Sequence, residues 1–220
     1  MKRRTGLVVA LDVPTGRHAL SLARALDGLA DGFKIGLPLL MGESVSVLRD
    51  LRRRTRAPLI ADLKVADIPE TGEAMVERAL RAGASAAIVQ GFSGRDTVER
   101  CVAAARRHRG EVFVVAEMSH PGGATYLAPA AGSIARAARS AGAAGLIAPA
   151  TRPARIRRLK TVSGLPVLAP GVGAQGGDAA RAVRAGADWL IVGRSLVRAR
   201  NPRPAAERLV EAIRRAGRAG

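Results

Sequence analysis

Eight short apolar runs recur along the chain, each followed by a stretch rich in Ala, Arg and Leu. The runs begin near Leu7, Gly32, Pro58, Ala84, Glu111, Ala144, Leu165 and Ala187, so successive starts lie 21 to 33 residues apart. That interval holds one strand, one helix and their turns, the length of a βα unit. Three units open on nearly the same wording: Arg81-Ala-Gly-Ala-Ser-Ala-Ala-Ile-Val, Ser140-Ala-Gly-Ala-Ala-Gly-Leu-Ile-Ala and Arg184-Ala-Gly-Ala-Asp-Trp-Leu-Ile-Val. A glycine that ends a helix in the left-handed region, with an apolar strand directly after it, accounts for the repeat. Strictly alternating units require a parallel sheet covered by helices. Eight of them in 220 residues predict an α/β protein whose sheet closes into a (β/α)8 TIM barrel, in preference to an open doubly wound sheet. No linker-like stretch interrupts the pattern, so residues 1–220 read as a single domain, with the Pro/Arg-rich residues 200–204 leading into the last helix.

Composition narrows the function. With 48% hydrophobic and 25% charged residues the chain buries its own core, which excludes disorder and fibrous structure. No apolar run nears the ~20 residues of a membrane helix, and the one at Leu7 stops at Asp12 and Pro14. Met1-Lys-Arg-Arg imitates the start of a signal peptide, but the apolar stretch behind it is too short and no small-residue cleavage site follows. A single cysteine, Cys101, and three scattered histidines, His18, His108 and His120, give neither an internal disulfide nor a zinc spacing. The expectation is a cytoplasmic protein with no membrane association, no metal and no cofactor.

The net charge is +18, which raises the prospect of anionic partners. Arg and Lys are nevertheless spread over every helical segment, and aromatics make up only 2% of residues, which leaves little for base stacking. The expectation is a solvated basic surface and no nucleic-acid partner. The kind of cation says more than the amount. Only 4 of the 36 basic residues are lysines, at positions 2, 34, 64 and 160. In a chain that uses arginine almost everywhere, a lysine marks a place where a compact ammonium able to transfer a proton is needed.

In a (β/α)8 barrel the chemistry sits at the C-terminal ends of the strands. The third strand reads Pro58-Leu-Ile-Ala-Asp-Leu-Lys, and alternation at period two puts Ile60, Asp62 and Lys64 on one face. Asp67 follows in the loop. The same alternation brings Asp12 to the end of the first strand and Lys34 into the second. The plain alternative is an internal ion-pair network closing the barrel, but four such residues on three consecutive strands, including half of the chain's lysines, favour a reacting site.

A second signal is Pro170-Gly-Val-Gly-Ala-Gln-Gly-Gly-Asp178 after the seventh strand. Its glycines spell GxGxxG, but a dinucleotide fold would need a βαβ unit with an acid about 20 residues on. The better reading is the phosphate site barrels build from the loops after strands seven and eight, completed by Gly193 and Arg194. A third signal is Glu117-Met-Ser-His-Pro-Gly-Gly123. Ser119 has no base and acid at nucleophile spacing, so it reads as a hydroxyl for a substrate edge or as a turn cap before Pro121. His120 reads as structural.

Together these segments resemble the orotidine 5′-phosphate decarboxylase family of compact microbial type. The resemblance rests on Leu11-Asp12-Val13, Phe33-Lys-Ile-Gly36, Ala61-Asp-Leu-Lys-Val-Ala-Asp-Ile-Pro-Glu-Thr71, Glu117-Met-Ser-His-Pro121, the 170–178 loop and Val192-Gly-Arg-Ser195. It implies cofactor-independent decarboxylation of orotidine 5′-phosphate to uridine 5′-phosphate. By that resemblance Lys64 is the proton donor, and Asp62, Lys34 and Asp67 complete a charged tetrad. Asp12 and Lys34 hold ribose hydroxyls, and Ser119 reads the pyrimidine edge. Gln175 links phosphate and base, while Pro170, Gly171, Val172, Gly173, Gly193 and Arg194 surround the phosphate end. It also implies a homodimer in which Asp67, Ile68 and Thr71 reach into the neighbouring subunit's site. The DxKxxD element alone is shared with metal-dependent sugar-phosphate decarboxylases and hexulose-phosphate aldolases, which form the alternative reading.

Overall fold

The computed structural model describes residues 1–218. Its strands are β1 (Leu7–Ala10), β2 (Gly32–Gly36), β3 (Leu59–Val65), β4 (Ala86–Gln90), β5 (Glu111–Val115), β6 (Gly145–Ile147), β7 (Val167–Pro170) and β8 (Trp189–Val192). All are parallel, each pairs with the next, and β8 closes on β1, so the sheet is the expected eight-stranded barrel. Every strand starts within two residues of its sequence-predicted position.

The helices are α1 (Gly16–Ala25), α2 (Leu37–Glu43), α3 (Val47–Arg52), α4 (Pro69–Arg81), α5 (Arg95–Arg107), α6 (Pro121–Tyr126), α7 (Ala131–Ala141), α8 (Pro153–Ser163), α9 (Ala179–Arg184), α10 (Arg194–Val197) and α11 (Pro202–Arg218). Strict one-to-one alternation misses three of them. Short α2, α6 and α10 are inserted between a strand and its covering helix, and α6 explains why the interval from Glu111 to Ala144 is the longest. Local chemistry sets the boundaries. The Thr15 hydroxyl accepts from the His18 N–H at the start of α1, and the Asp178 carboxylate accepts from the Arg181 N–H (2.6 Å) at the start of α9. Proline occupies the first position of α4, α6, α8 and α11. In the repeated Ala-Gly-Ala wording, Gly142 ends α7 at φ 75°, ψ 35°, where a side chain would be strained.

Two apolar layers follow from the alternation along each strand. Leu7, Val9, Phe33, Ile35, Leu59 and Ala61 point outward and pack under the helices. Val8, Ile60, Ile88, Phe113, Leu168 and Trp189 fill the barrel. Each large side chain so buried stabilises the fold by about 1.5–3 kcal/mol. At the N-terminal end the buried Asp31 carboxylate accepts from the Trp189 indole N–H (3.1 Å) and from the N–H groups of Thr5 and Gly6. The apolar filling ends near the C-terminal ends of the strands, and charged side chains take over there. Among the described residues no helix is long and apolar enough to cross a membrane.

Candidate active site

The inward rows of the first three strands end on charge. Asp12 Oδ1 lies 3.1 Å from Lys34 Nζ, which lies 3.0 Å from Asp62 Oδ2. Both Asp62 oxygens lie 2.8 Å from Lys64 Nζ. Four charges of alternating sign thus run across three adjacent strands. The side chains of Lys34 and Asp62 are 9% and 6% exposed, against 40% for Lys64, so Lys64 is the member that opens outward. Burial alone would push the Asp62 carboxyl up, but the charges of Lys34 and Lys64 outweigh it and hold the group below the usual aspartate range. Burial likewise works against the Lys34 ammonium, and Asp62 and Asp12 outweigh it and hold that group above the usual lysine range. The chain closes up tightly at Gly36, where a Cβ would stand 2.7 Å from Asp12 Oδ1; glycine is what lets the carboxylate approach the strand.

Alternation correctly puts Ile60, Asp62 and Lys64 on the inner face, but the strand is not regular there. Ala61 pairs with Ala87 and Val65 with Val89, so β3 carries two extra residues against β4. Within this bulge Lys64 adopts φ 44°. Bulges re-aim side chains, and this one turns the Lys64 ammonium back over Asp62.

The tetrad's inner members open into a cavity of about 330 Å³ at the C-terminal end of the barrel. Asp12, Lys34, Asp62 and Lys64 line it together with Ser119, Pro170, Gly171, Val172, Gln175, Gly193 and Arg194. Ile88, Val115, Ile147 and Ile191 give it an apolar floor. Ser119 and Gln175 flank Gly171: a Cβ there would stand 3.3 Å from Ser119 Cβ and 3.1 Å from Gln175 Oε1. A cavity with apolar residues, a charged row, an arginine and a glycine loop in its lining suits an apolar-faced ring attached to an anionic tail.

The structure departs from the sequence reading in three places. Gly173 does not line the cavity; its N–H is turned back to the Gly177 carbonyl (2.9 Å), so it is not free for an anion. Asp67, Ile68 and Thr71, expected to reach a neighbouring subunit's site, lie outside this chain's cavity and are exposed. The Asp67 carboxylate accepts from the Ile68 N–H (2.8 Å), and buried Thr97 donates to the Asp67 carbonyl (3.0 Å), which fixes that corner. His120, read as structural, lines the cavity together with Met118. Finally, Glu117 received no role, yet its side chain is fully buried and takes Arg152 Nε at 2.9 Å and Arg155 Nε at 2.6 Å. Arg152 also donates to the Met118 carbonyl and Arg155 to the Ala128 carbonyl, so the carboxylate braces the segment that presents Ser119. An acid at a strand end paired with two arginines 35 and 38 residues away leaves no local trace in the sequence.

A closed (β/α)8 barrel with this charged row and glycine loop at the C-terminal ends of its strands defines the class: a TIM-barrel enzyme with its site in the barrel mouth. Residues 5–209 match the model of the Orotidine 5′-phosphate decarboxylase / HUMPS family, and the chain belongs to that family. It is 47% identical to the orotidine 5′-phosphate decarboxylase of Methanosarcina mazei, over 97% of each chain. It is 42% identical to that of Thermococcus kodakarensis, over 94% of this chain and 96% of the relative. The fold is similar to the crystal structure of orotidine 5′-monophosphate decarboxylase from Methanocaldococcus jannaschii complexed with inhibitor BMP, with a TM-score of 0.91 and 34% identity over 94% of this chain and 98% of that one.

Proposed function

We propose that this protein converts orotidine 5′-phosphate to uridine 5′-phosphate and CO2 without a cofactor, as one catalytic domain working in the cytoplasm. The observation that carries the reading is the Lys64 ammonium, held 2.8 Å from both Asp62 oxygens at the mouth of an apolar cavity. The bond between C6 and the carboxyl carbon breaks, CO2 leaves, and the electron pair stays in the ring plane, where the π system does not absorb it. A fixed cation beside C6 stabilises that pair as it develops and then supplies the proton that becomes the C6–H. Lysine suits both tasks, whereas arginine hardly gives up a proton.

Asp62 keeps the ammonium charged and aimed, and Lys34 neutralises the rest of Asp62's charge and links it to Asp12, which with Lys34 takes the ribose hydroxyls. Ser119 hydrogen-bonds the pyrimidine edge. Arg194 holds the phosphate, with the backbone of Gly171, Val172 and Gly193 around it, and Gln175 spans phosphate and base. Binding energy from the remote phosphate offsets the cost of placing a carboxylate substrate against Asp62.

The chain works as a homodimer in this reading, with Asp67, Ile68 and Thr71 completing the partner's site. Support comes from their exposure and from Met41, Ile68 and Phe92, large apolar side chains 81%, 62% and 56% exposed in the segments after β2, β3 and β4, of the kind that subunit contacts cover. The test is to mix the purified protein with orotidine 5′-phosphate and EDTA and follow the pyrimidine absorbance. Conversion to uridine 5′-phosphate at an undiminished rate is expected. No conversion overturns the reading, and loss of activity on chelation shifts it to the metal-dependent branch of the family.

A further inference from the structure

Basic residues occur in every helical segment, but the balance of charge is not even along the chain. Residues 152–218 hold 15 of the 36 basic residues but only 4 of the 18 acidic ones. Folding lays α8, α9 and α11 side by side on one flank of the barrel. Each of the four acids there is already engaged. Asp188 binds Lys160 (2.7 Å), Glu207 binds Arg203 (3.3 Å), Glu211 binds Arg215 (2.9 Å), and Asp178 caps α9. Arg157 and Arg158 on α8, Arg181 and Arg184 on α9, and Arg208 and Arg214 on α11 are exposed, and among the described residues no carboxylate lies within 4 Å of any of their guanidinium groups. The opposite flank differs: on α4 and α5, Glu73 and Glu77 tie down Arg100 and Arg107.

We infer that the α8–α9–α11 flank binds the phosphate backbone of duplex nucleic acid without reading sequence. An array of guanidinium groups far outnumbering the carboxylates among them repels itself, and an external polyanion relieves that repulsion. Arginine matches phosphate oxygens in a fork geometry. The three helices contain no Phe, Tyr or Trp, so the stacking that holds single strands is missing and dense paired phosphates are the better counterpart. The flank is also free of the reaction. On the closed ring β7 stands opposite β3, so α9 faces away from both the Asp67 corner and the proposed subunit contact. The inference stands independently of the proposed activity.

The experiment measures fluorescence anisotropy of labelled 20-base-pair mixed-sequence duplexes, one DNA and one RNA, with the full chain at 50 and 200 mM salt. Binding at 50 mM is expected to weaken about 1,000-fold at 200 mM, as about six phosphate contacts require. The variant Arg157→Glu/Arg181→Glu/Arg184→Glu/Arg208→Glu is expected to lose more than tenfold in affinity at 50 mM and to flatten the salt dependence. A control with the same charge change elsewhere, Arg49→Glu/Arg54→Glu/Arg78→Glu/Arg136→Glu, is expected to keep most of the affinity. Circular dichroism verifies that both variants fold. Equal losses in the two variants would reduce the effect to net charge and overturn the inference. So would absence of binding at 50 mM, or tighter binding to vesicles of anionic lipid than to either duplex.

Discussion

Lys64 Nζ lies 2.8 Å from each oxygen of Asp62, and the backbone that carries it stands at φ 44°. Two side chains two residues apart on an ideal strand run parallel and point the same way. Here the bulge in β3 folds the second back over the first, at a backbone cost of about 1–2 kcal/mol for a residue with a Cβ in the left-handed region. Strain kept at such a point fits a residue whose aim matters more than its contribution to stability.

That strain separates chemistry from stability at one position. Lys64→Ala and Lys64→Gly are both expected to lose turnover by about 1,000-fold or more, the scale of removing a charge stabiliser and proton donor together. Affinity for uridine 5′-phosphate should stay within tenfold. In urea unfolding the glycine variant should exceed the alanine variant by about 1 kcal/mol. An active Lys64→Ala protein would remove the mechanism, and equal stabilities would remove the strain.

Arg194→Ala is expected to weaken uridine 5′-phosphate binding by about 10- to 100-fold, the scale of one charge-assisted hydrogen bond to phosphate. Uridine affinity should be unchanged. Calorimetry with the two ligands checks this, and a parallel loss for both would take the phosphate away from Arg194.

Glu117 is fully buried between Arg152 and Arg155. Glu117→Ala leaves two guanidinium groups without their counter-charge and is expected to cost about 3–5 kcal/mol of unfolding free energy, the range for breaking a buried ion pair from one side. A loss under 1 kcal/mol in chemical denaturation would mean that solvent replaces the carboxylate without difficulty.

The two buried members of the charged row set opposite pH limits. The Asp62 carboxyl is held below its unfolded value, so its contribution is present above the ordinary aspartate range near pH 4 and is lost as pH falls through the lower folded value. The Lys34 ammonium is held above its unfolded value, so its contribution is complete below about pH 10 and is lost as pH rises through the higher folded value. Urea midpoints measured from pH 2 to 12 should therefore fall at both ends. Asp62→Asn should shrink both limbs, since it removes one titrating group and the main counter-charge of the other. The acid limb should not vanish, because hydrogen bonds from Arg100 and Arg107 also hold Glu73 and Glu77 low. Unchanged limbs in Asp62→Asn would sever the link.

If Asp67 completes the partner's site, Lys64→Ala and Asp67→Ala homodimers should each be nearly inactive, while subunits exchanged between them should regain activity. Each mixed dimer then holds one site with both native residues. No recovery after verified subunit exchange would put Asp67 to work within its own chain or outside the site.

The strands, the barrel and most of the cavity lining were legible in the sequence for one physical reason. A strand buried on both faces reads as an unbroken apolar run, and a charge at the end of such a run has few explanations other than function. The scarcity of lysine singled out Lys34 and Lys64 in the same way. Gly173 misled because spelling does not reveal which loop N–H groups are already used, and His120 misled because its ring position depends on where α6 starts.

What the order of residues determined by itself, then, is the succession of βα units, the face each side chain takes and the residue types that meet at the barrel mouth, since these depend on local periodicity. Tertiary structure alone decided the bulge that aims Lys64, the bracing of Glu117 by arginines 35 and 38 positions away, and which of the arginines in residues 152–218 are left without a carboxylate. Each of these depends on distances between segments remote along the chain, which only closure of the barrel brings within hydrogen-bonding or Coulombic range.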